Sequence, residues 1–279
     1  MSIPVSSVAL SSVSEALFPN DRPTSTLYSD IGTGNSLSGH TLTPGSIQAV
    51  TSATVLELNF LSTQQAYAVL VGTRTGDSRP SVNFLNIASG RFSSQRLLLT
   101  ANKQYTGVRI AVSGSNQVIR LLNNTDNRIE HWQGPNTATN VSQYAENTSG
   151  RINLGSGDYS DFTQIRTHDY IIDNSGSTKR LYAIDLSGTR QSFTDLGTDD
   201  FDCLATDQVN SKIIAVNQRT KIAQAYELFN LSDFAPERDS NNDFYIGGGD
   251  IVGCATFTDQ FRFFDATVGR EYVFSIRAE

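Results

Sequence analysis

The sequence predicts an all-β protein, and within that class a β-propeller of about five blades. The first observation is composition: the 279 residues include 32 Ser, 27 Thr, 20 Asn and 21 Gly, against 8 Glu, 4 Lys and 1 Met. Residues that favour turns and strands are therefore abundant, whereas the usual formers of surface helices are scarce. The second observation is that short apolar runs alternate with turn clusters from Ala49 onward, as in antiparallel strands. The third is a repeat in the order of these runs, which indicates blades.

The repeat is clearest in the C-terminal half of the chain. Three segments open with an acidic residue, at Asp161, Asp200 and Asp250, and each continues into an apolar run. Second runs follow at 170–172, 212–216 and 261–264, third runs at 180–184, 222–226 and 271–275, a fourth run at 191–196, and looser copies at 107–132 and 50–99. Successive copies start roughly forty to fifty-five residues apart, which is the period of propeller blades. The irregular spacing leaves a β-sandwich as the alternative fold.

Residues 1–45 are expected to form an N-terminal arm, and residues 46–279 the propeller. The arm is rich in Ser, Thr, Pro and Gly, and a capping-box pattern from Ser12 to Glu15 predicts one or two helical turns there. The last copy of the repeat contains only three runs, so either the last blade has three strands or its fourth strand comes from elsewhere. The extended segment 24–29 is expected to supply it, which would close the ring and remove an exposed strand edge.

Composition and residue spacing argue against several classes of function. A net charge of −7 gives no basic surface for nucleic acid, and no apolar run is long enough for membrane insertion. The histidines His40, His131 and His168 have no metal-ligand spacing, so no metal and no cofactor are predicted. Cys203 and Cys254 fall at similar places in successive copies of the repeat, where we expect buried free thiols.

A candidate site comes from the first strand of each blade, which lines the central channel of a propeller. Four acids of these strands would gather near the channel mouth: Asp161, Asp200, Asp202 and Asp250. Clustered carboxylates can perform acid and base chemistry or bind a cation, because like charges raise one another's pKa. The arrangement is similar to five-bladed glycoside hydrolases, whose catalytic acids lie on inner strands. The alternative is that these acids cap turns.

A second resemblance concerns the N-terminus. Residues 8–17 resemble the short Ile-Ser-Leu-Ser-x-Val segment that opens many virion proteins of tailed bacteriophages, although Val8 and Ala9 replace its Ile-Ser pair. The Ser-, Thr-, Asn- and Gly-rich composition is also similar to phage tail and fibre components, and propellers occur among tail nozzles, hubs and adhesins.

This resemblance implies a non-enzymatic structural component of the virion, in the tail or its attachment apparatus. The chain would belong to a homo- or hetero-oligomeric assembly and dock on other virion proteins through apolar arm residues: Val8, Leu10, Val13 and Leu17. The alternative function is a carbohydrate-binding propeller, either a lectin or adhesin for a host surface glycan or a five-bladed glycoside hydrolase.

Overall fold

A computed structural model describes residues 22–36, 47–58, 65–74, 79–86, 91–135, 141–165, 167–228, 235–257, 259–265 and 270–278. It confirms the predicted fold class: five antiparallel sheets stand around a central channel as a five-bladed β-propeller. The first strands of successive blades contact one another in a closed ring. A sandwich of two facing sheets is thereby excluded. The described part of the chain contains no helix that is long and apolar enough to cross a membrane.

Each blade runs outward from the channel, strand by strand. Blade 1 consists of β2 (Ile47–Leu58), β3 (Gln65–Arg74), β4 (Pro80–Asn86) and β5 (Arg91–Leu98). Blade 2 consists of β6 (Tyr105–Ser113), β7 (Asn116–Asn123), β8 (Arg128–Pro135) and the short outer strands β9 (Ala145–Glu146) and β10 (Ile152–Asn153). Blade 3 consists of β11 (Tyr159–Ile165), β12 (His168–Asp173), β13 (Lys179–Ile184) and β14 (Arg190–Gly197).

The other two blades follow the same plan. Blade 4 consists of β15 (Phe201–Asp207), β16 (Lys212–Asn217), β17 (Ile222–Glu227) and the short outer strands β18 (Glu237–Arg238) and β19 (Phe244–Tyr245). Blade 5 consists of β20 (Ile251–Phe257), β21 (Gln260–Asp265), β22 (Arg270–Ile276) and, as its outermost strand, β1 (Tyr28–Ser36). The fourth strand of the last blade therefore comes from the N-terminal segment.

The N-terminal segment is held at several points. Tyr28 pairs with Ile276, and its hydroxyl donates a hydrogen bond of 2.9 Å to Asp207 Oδ2 on blade 4. Further back, Ser25 donates to Asn242 at 2.8 Å, and the Arg22 guanidinium lies 4.3 Å from the centre of the Tyr245 ring. Residues 22–28 thus form a strap over blade 4 before β1 completes blade 5. The segment predicted to close the ring, residues 24–29, shares only residues 28 and 29 with the observed strand β1. The predicted helical turns near Ser12 lie outside the described residues.

The core consists of apolar layers between neighbouring blades. One layer joins blades 4 and 5 through Phe244, Phe261, Phe263 and Phe274, together with Tyr28. The rings of Phe244 and Phe274 lie 4.8 Å apart in a tilted arrangement, a geometry that aromatic pairs favour. Similar layers join blades 1 and 2, 2 and 3, and 3 and 4. Burial between blades, rather than within one central core, therefore stabilises the ring.

Four blades share a buried polar residue at the end of the second strand. These residues are Asn123, Asp173, Asn217 and Asp265, each opposite the first residue of the inner strand. Their side chains accept backbone N–H groups of adjacent turns, as Asn217 Oδ1 does from Thr220 at 3.0 Å. Asn and Asp suit this position because a short side chain can satisfy a turn that would otherwise leave a buried donor unpaired.

Gly188 provides a test of the packing between blades 2 and 3. It has φ +88° in the turn before β14, and a Cβ there would lie 2.4 Å from the Asn153 backbone oxygen. We expect Gly188→Ala to lower the free energy of unfolding by about 2 kcal/mol or more, because backbone strain and a clash add together. Gly114 is the control, since its φ is +60° but nothing lies within 4 Å. Urea unfolding showing equal losses for the two variants would contradict the expected clash.

Candidate functional site

The inner strands place their first residues at one face of the ring, here called the site face. Each blade is an up-and-down meander, so every inner strand begins where the previous blade ends. The pairing of β11 with β12 breaks between Tyr159 and Phe162, and that of β15 with β16 breaks between Phe201 and Leu204. Such bulges redirect side chains locally. They hold Asp161 on β11, and on β15 the residues Asp202 and Cys203.

Side chains from neighbouring blades fix where these strands begin. Asn124 Oδ1 accepts a hydrogen bond of 2.7 Å from the Tyr159 N–H at the start of β11. In the next blade, Asn174 Nδ2 donates to the Phe201 carbonyl oxygen at 3.0 Å, and Asn174 Oδ1 accepts from the Phe201 N–H at 3.3 Å. Asn124 and Asn174 thus occupy the same turn position in successive blades, and each binds the first residue of the next inner strand. These hydrogen bonds order the backbone that carries the candidate acids.

Asp202 has the most perturbed environment of the candidate acids. The residue is partly exposed, but its Oδ2 atom is buried and has no hydrogen-bond partner among the described residues. Burial raises the pKa of Asp202 to about 7, with further increases from the carboxylates of Asp250, Asp200 and Asp161. Lys221 opposes this rise. Asp202 therefore exchanges a proton near neutral pH, as an acid and base catalyst must.

Asp161, unlike Asp202, is fully buried. Its Oδ2 atom accepts 2.8 Å hydrogen bonds from Arg109 Nη2 and from the Leu204 N–H, and Arg109 also donates to the Leu204 carbonyl oxygen at 2.7 Å. Burial raises the pKa of Asp161, while these donors act in the opposite direction. The Arg109–Asp161 pair thus binds both backbone polar groups of Leu204, two residues after Asp202, and so positions the bulge.

Gly107 makes room for this arrangement. A Cβ at residue 107 would lie 2.8 Å from Phe162 Cδ1 and 2.9 Å from Asp161 Oδ1. Any side chain would therefore push β6 away from the buried carboxyl group.

The other two predicted acids lie at the rim. Asp200 is exposed and forms an ion pair of 2.9 Å with Lys179 Nζ, and Asp250 is exposed and accepts a 3.5 Å hydrogen bond from Gln218 Nε2. Because both carboxylates act on the pKa of Asp202, all four predicted acids contribute to one electrostatic site. Their roles differ: Asp161 is structural, Asp202 is the titrating group, and the rim acids face solvent.

The described histidines and cysteines, for which no metal-binding role was predicted, lie elsewhere in the fold or in the apolar layers. In the described ranges, no three His, Cys, Asp or Glu side chains are grouped to hold a metal ion. Cys203 and Cys254 are free, buried and packed in one apolar layer, and burial together with contact between the thiols raises the pKa of Cys203. His131 lies on β8, the third strand of blade 2, and His168 is the first residue of β12. His40, like the arm residues Val8, Leu10, Val13 and Leu17, lies outside the described residues.

Sequence reasoning missed Arg109, Lys221 and Gly107. Arg109 precedes Asp161 by 52 residues, and the two meet only because β6 and β11 are adjacent in the ring. Lys221 lies in a turn with a φ of +57°. No sequence pattern predicts that a lysine in such a turn acts on the site. The usable signal was the repeat itself, because Gly107 and Arg109 fall in the inner strand of the second blade.

Comparisons with known proteins identify the fold but no family. No family model and no curated protein match the sequence. The structure aligns with Myxococcus xanthus glutaminyl cyclase at a TM-score of 0.53 and 11% identity, over 91% of this chain and 99% of that chain. It aligns with the exo-β-1,3-galactanase of Phanerochaete chrysosporium, solved with β-1,3-galactotriose, at a TM-score of 0.52 and 11% identity, over 88% and 64%. The chain thus spans less than two thirds of the galactanase.

These alignments correct one expectation. The sequence analysis predicted that the chain is not an enzyme. That prediction is wrong in excluding enzyme activity, because both aligned structures are enzymes built on this fold. At 11% identity the likeness establishes the fold alone, so substrate and chemistry have to be argued from the residues of this chain.

Proposed function

We propose that the site face binds a saccharide and hydrolyses a glycosidic bond, with Asp202 as proton donor. The observation that carries the proposal is the Asp202 carboxyl, whose pKa is raised to about 7 at the mouth of the channel. Glycoside hydrolysis needs one carboxyl that is still protonated near neutral pH, and burial beside other carboxylates is how proteins provide it.

The second carboxylate of the reaction is assigned to Asp250. Among the carboxylates that raise the pKa of Asp202, Asp250 has the largest effect, and it is exposed at the rim. Asp161 is buried, which keeps its carboxyl group from a bound substrate. In the proposed step Asp202 protonates the glycosidic oxygen as the C–O bond breaks. Water adds to the anomeric carbon and gives its proton to Asp250.

The test is a screen of binding and hydrolysis over a panel of oligosaccharides that includes β-1,3-galactotriose. Wild-type protein should cleave at least one glycan class, and Asp202→Asn and Asp250→Asn should remove cleavage. Asp259→Asn is the matched control, because Asp259 is an exposed acid in the β20–β21 turn on the opposite face. A panel with no hydrolysis by the wild type, or full activity in Asp202→Asn, would refute the proposal.

A second candidate function is compatible with the first: a component of a tailed-phage virion, in the tail or attachment apparatus, that docks through its N-terminal arm. The resemblance of residues 8–17 to the opening segment of such proteins favours this proposal. A docked propeller could present its site face to a host surface glycan.

Deletion of residues 1–20 tests docking through the arm and leaves the strap in place. The strap contacts given above begin at Arg22, so none of them is removed. We expect an unchanged melting temperature and loss of incorporation into particles, measured by quantitative peptide mass spectrometry. Replacing only Val8, Leu10, Val13 and Leu17 by Ser should have the same effect if the docking contacts are apolar. Normal incorporation of the truncated chain would disprove docking through the arm.

A further inference from the structure

Strand β14 is an open sheet edge with an exposed aromatic side chain at its centre. It is the outermost strand of blade 3 and pairs only with β13 in the described structure. Its exposure alternates along the strand, and Phe193 is 48% exposed. Natural proteins usually protect such edges with charges, short strands or covering segments, so an apolar ring at the middle of an edge calls for a partner.

The side chains of β14 that share the face of Phe193 carry opposite charges on either side of it. Across the β13–β14 pair, Arg180 is opposite Asp195, Tyr182 is opposite Phe193, and Ile184 is opposite Arg190. Residues 180, 182 and 184 alternate along β13 and therefore lie on one face. Their partners Asp195, Phe193 and Arg190 lie on that face as well. The pairing skips residue 191, and such a bulge adds one residue to the strand. The Arg190 side chain therefore lies on the same face as those of Phe193 and Asp195.

We propose that β14 pairs with β14 of a second copy of this chain about a two-fold axis through Phe193. In an antiparallel pair around this axis, Phe193 meets Phe193 of the other copy. On either side of this central pair, Asp195 of each copy lies opposite Arg190 of the other copy. The edge is thus self-complementary in charge, as an isologous dimer interface must be, and the aromatic pair lies at its centre.

The charged groups at this edge already form contacts within the chain: Asp195 pairs with Arg180 at 3.1 Å, and Arg190 lies 3.7 Å from Asp173 and donates to the Leu154 carbonyl oxygen at 3.3 Å. They remain partly exposed, so in the dimer they would extend these contacts to the other copy. The side chains of Arg180 and Asp195 are 42% and 56% exposed, and that of Arg190 is 32% exposed. The Arg180 guanidinium lies 4.5 Å from the centre of the Phe193 ring, which holds the ring at the edge. The outer edges of blades 2 and 4 differ, because their outer strands are only two residues long.

Two measurements test this dimer on the full-length protein. Sedimentation equilibrium should give a mass approaching twice 30.4 kDa at high micromolar concentration, and Phe193→Lys should restore the monomer mass. Leu98→Lys is the matched control: Leu98 is 37% exposed on β5, the outer strand of blade 1, and its variant should dimerise like the wild type. Unchanged melting temperatures would show that both variants are folded.

Cysteine cross-linking tests whether the two-fold axis of the dimer passes through residue 193. Facing residues of an antiparallel pair have Cα atoms about 4.5–5.5 Å apart, within the range of about 4.4–6.8 Å that a disulfide needs. Phe193→Cys should therefore form a covalent dimer under diamide oxidation, whereas Leu98→Cys should not, and the native thiols are buried. A monomer at every concentration, a dimer that survives Phe193→Lys, or equal cross-linking of both cysteine variants would overturn the proposal.

Discussion

Asp202→Asn is expected to lower the rate of glycoside hydrolysis by roughly 10²- to 10⁴-fold, the usual contribution of a positioned acid. The amide is nearly the same size as the carboxyl, so substrate binding should persist while proton donation is lost. In the wild type the rate should fall as pH rises through about 7, because the donor must be protonated and its pKa is raised to about 7. A kcat that shows no such fall, or binding lost together with kcat, would contradict the assigned role.

The same variant has a stability signature that does not depend on any substrate. The pKa of Asp202 is higher in the folded state than the value of about 3.9 in an unfolded chain, so the folded state binds more protons between about pH 4 and 7. The contribution of Asp202 to the unfolding free energy should therefore decrease as pH rises through this window. Relative to the wild type, Asp202→Asn should gain on the order of 2 kcal/mol between pH 4 and 8. Urea unfolding of both proteins at the two pH values measures this difference, and a difference that does not change with pH would contradict the raised pKa of Asp202.

The blade repeat was readable in the sequence because it depends on local pattern. Short apolar runs between turn clusters mark strands, and the acids at Asp161, Asp200 and Asp250 marked the inner strand of three blades. The strand that closes the ring was harder to place: Tyr28–Ser36 contains Gly32 at φ +113° and two breaks in pairing, so it lacks an alternating pattern. The outer edge of blade 4 is likewise divided into β18 and β19, which no periodicity predicts.

The candidate site was predictable only in its acids. Which of the four carboxyls titrates near neutral pH depends on burial and on distances between blades, neither of which is encoded locally. Asp161 and Asp202 look alike in the sequence, yet Arg109 binds Asp161 Oδ2, whereas Asp202 Oδ2 has no hydrogen-bond partner in the described part of the chain. Asp239 gives a second case: its partner, the buried Lys212, lies 27 residues earlier in the chain, so no local pattern predicts this ion pair.

The Arg120–Asp169 pair gives the largest expected effect on stability. Arg120 on blade 2 donates from Nη1 and Nη2 to the two carboxylate oxygens of Asp169 on blade 3, at 2.8 and 2.6 Å. The side chains are 5% and 0% exposed. Arg120 Nε also donates to His131 Nε2 at 3.2 Å. Burial and the Arg120 charge lower the pKa of His131 to about 4, so the ring is a neutral acceptor above that pH.

We expect Arg120→Met to cost about 3–5 kcal/mol of unfolding free energy at neutral pH, because Asp169 remains as a buried carboxylate without its counterion. Replacing both partners, in Arg120→Met with Asp169→Leu, should restore much of this loss, since the uncompensated charge is gone. Arg219→Met is the matched control: the Arg219 side chain in the ion pair with Asp199 is 72% exposed, and exposed pairs contribute little to stability. Urea unfolding would settle the comparison. If Arg120→Met lost no more stability than Arg219→Met, the contact between blades 2 and 3 would not depend on this pair, and apolar packing around Phe162 would have to account for it.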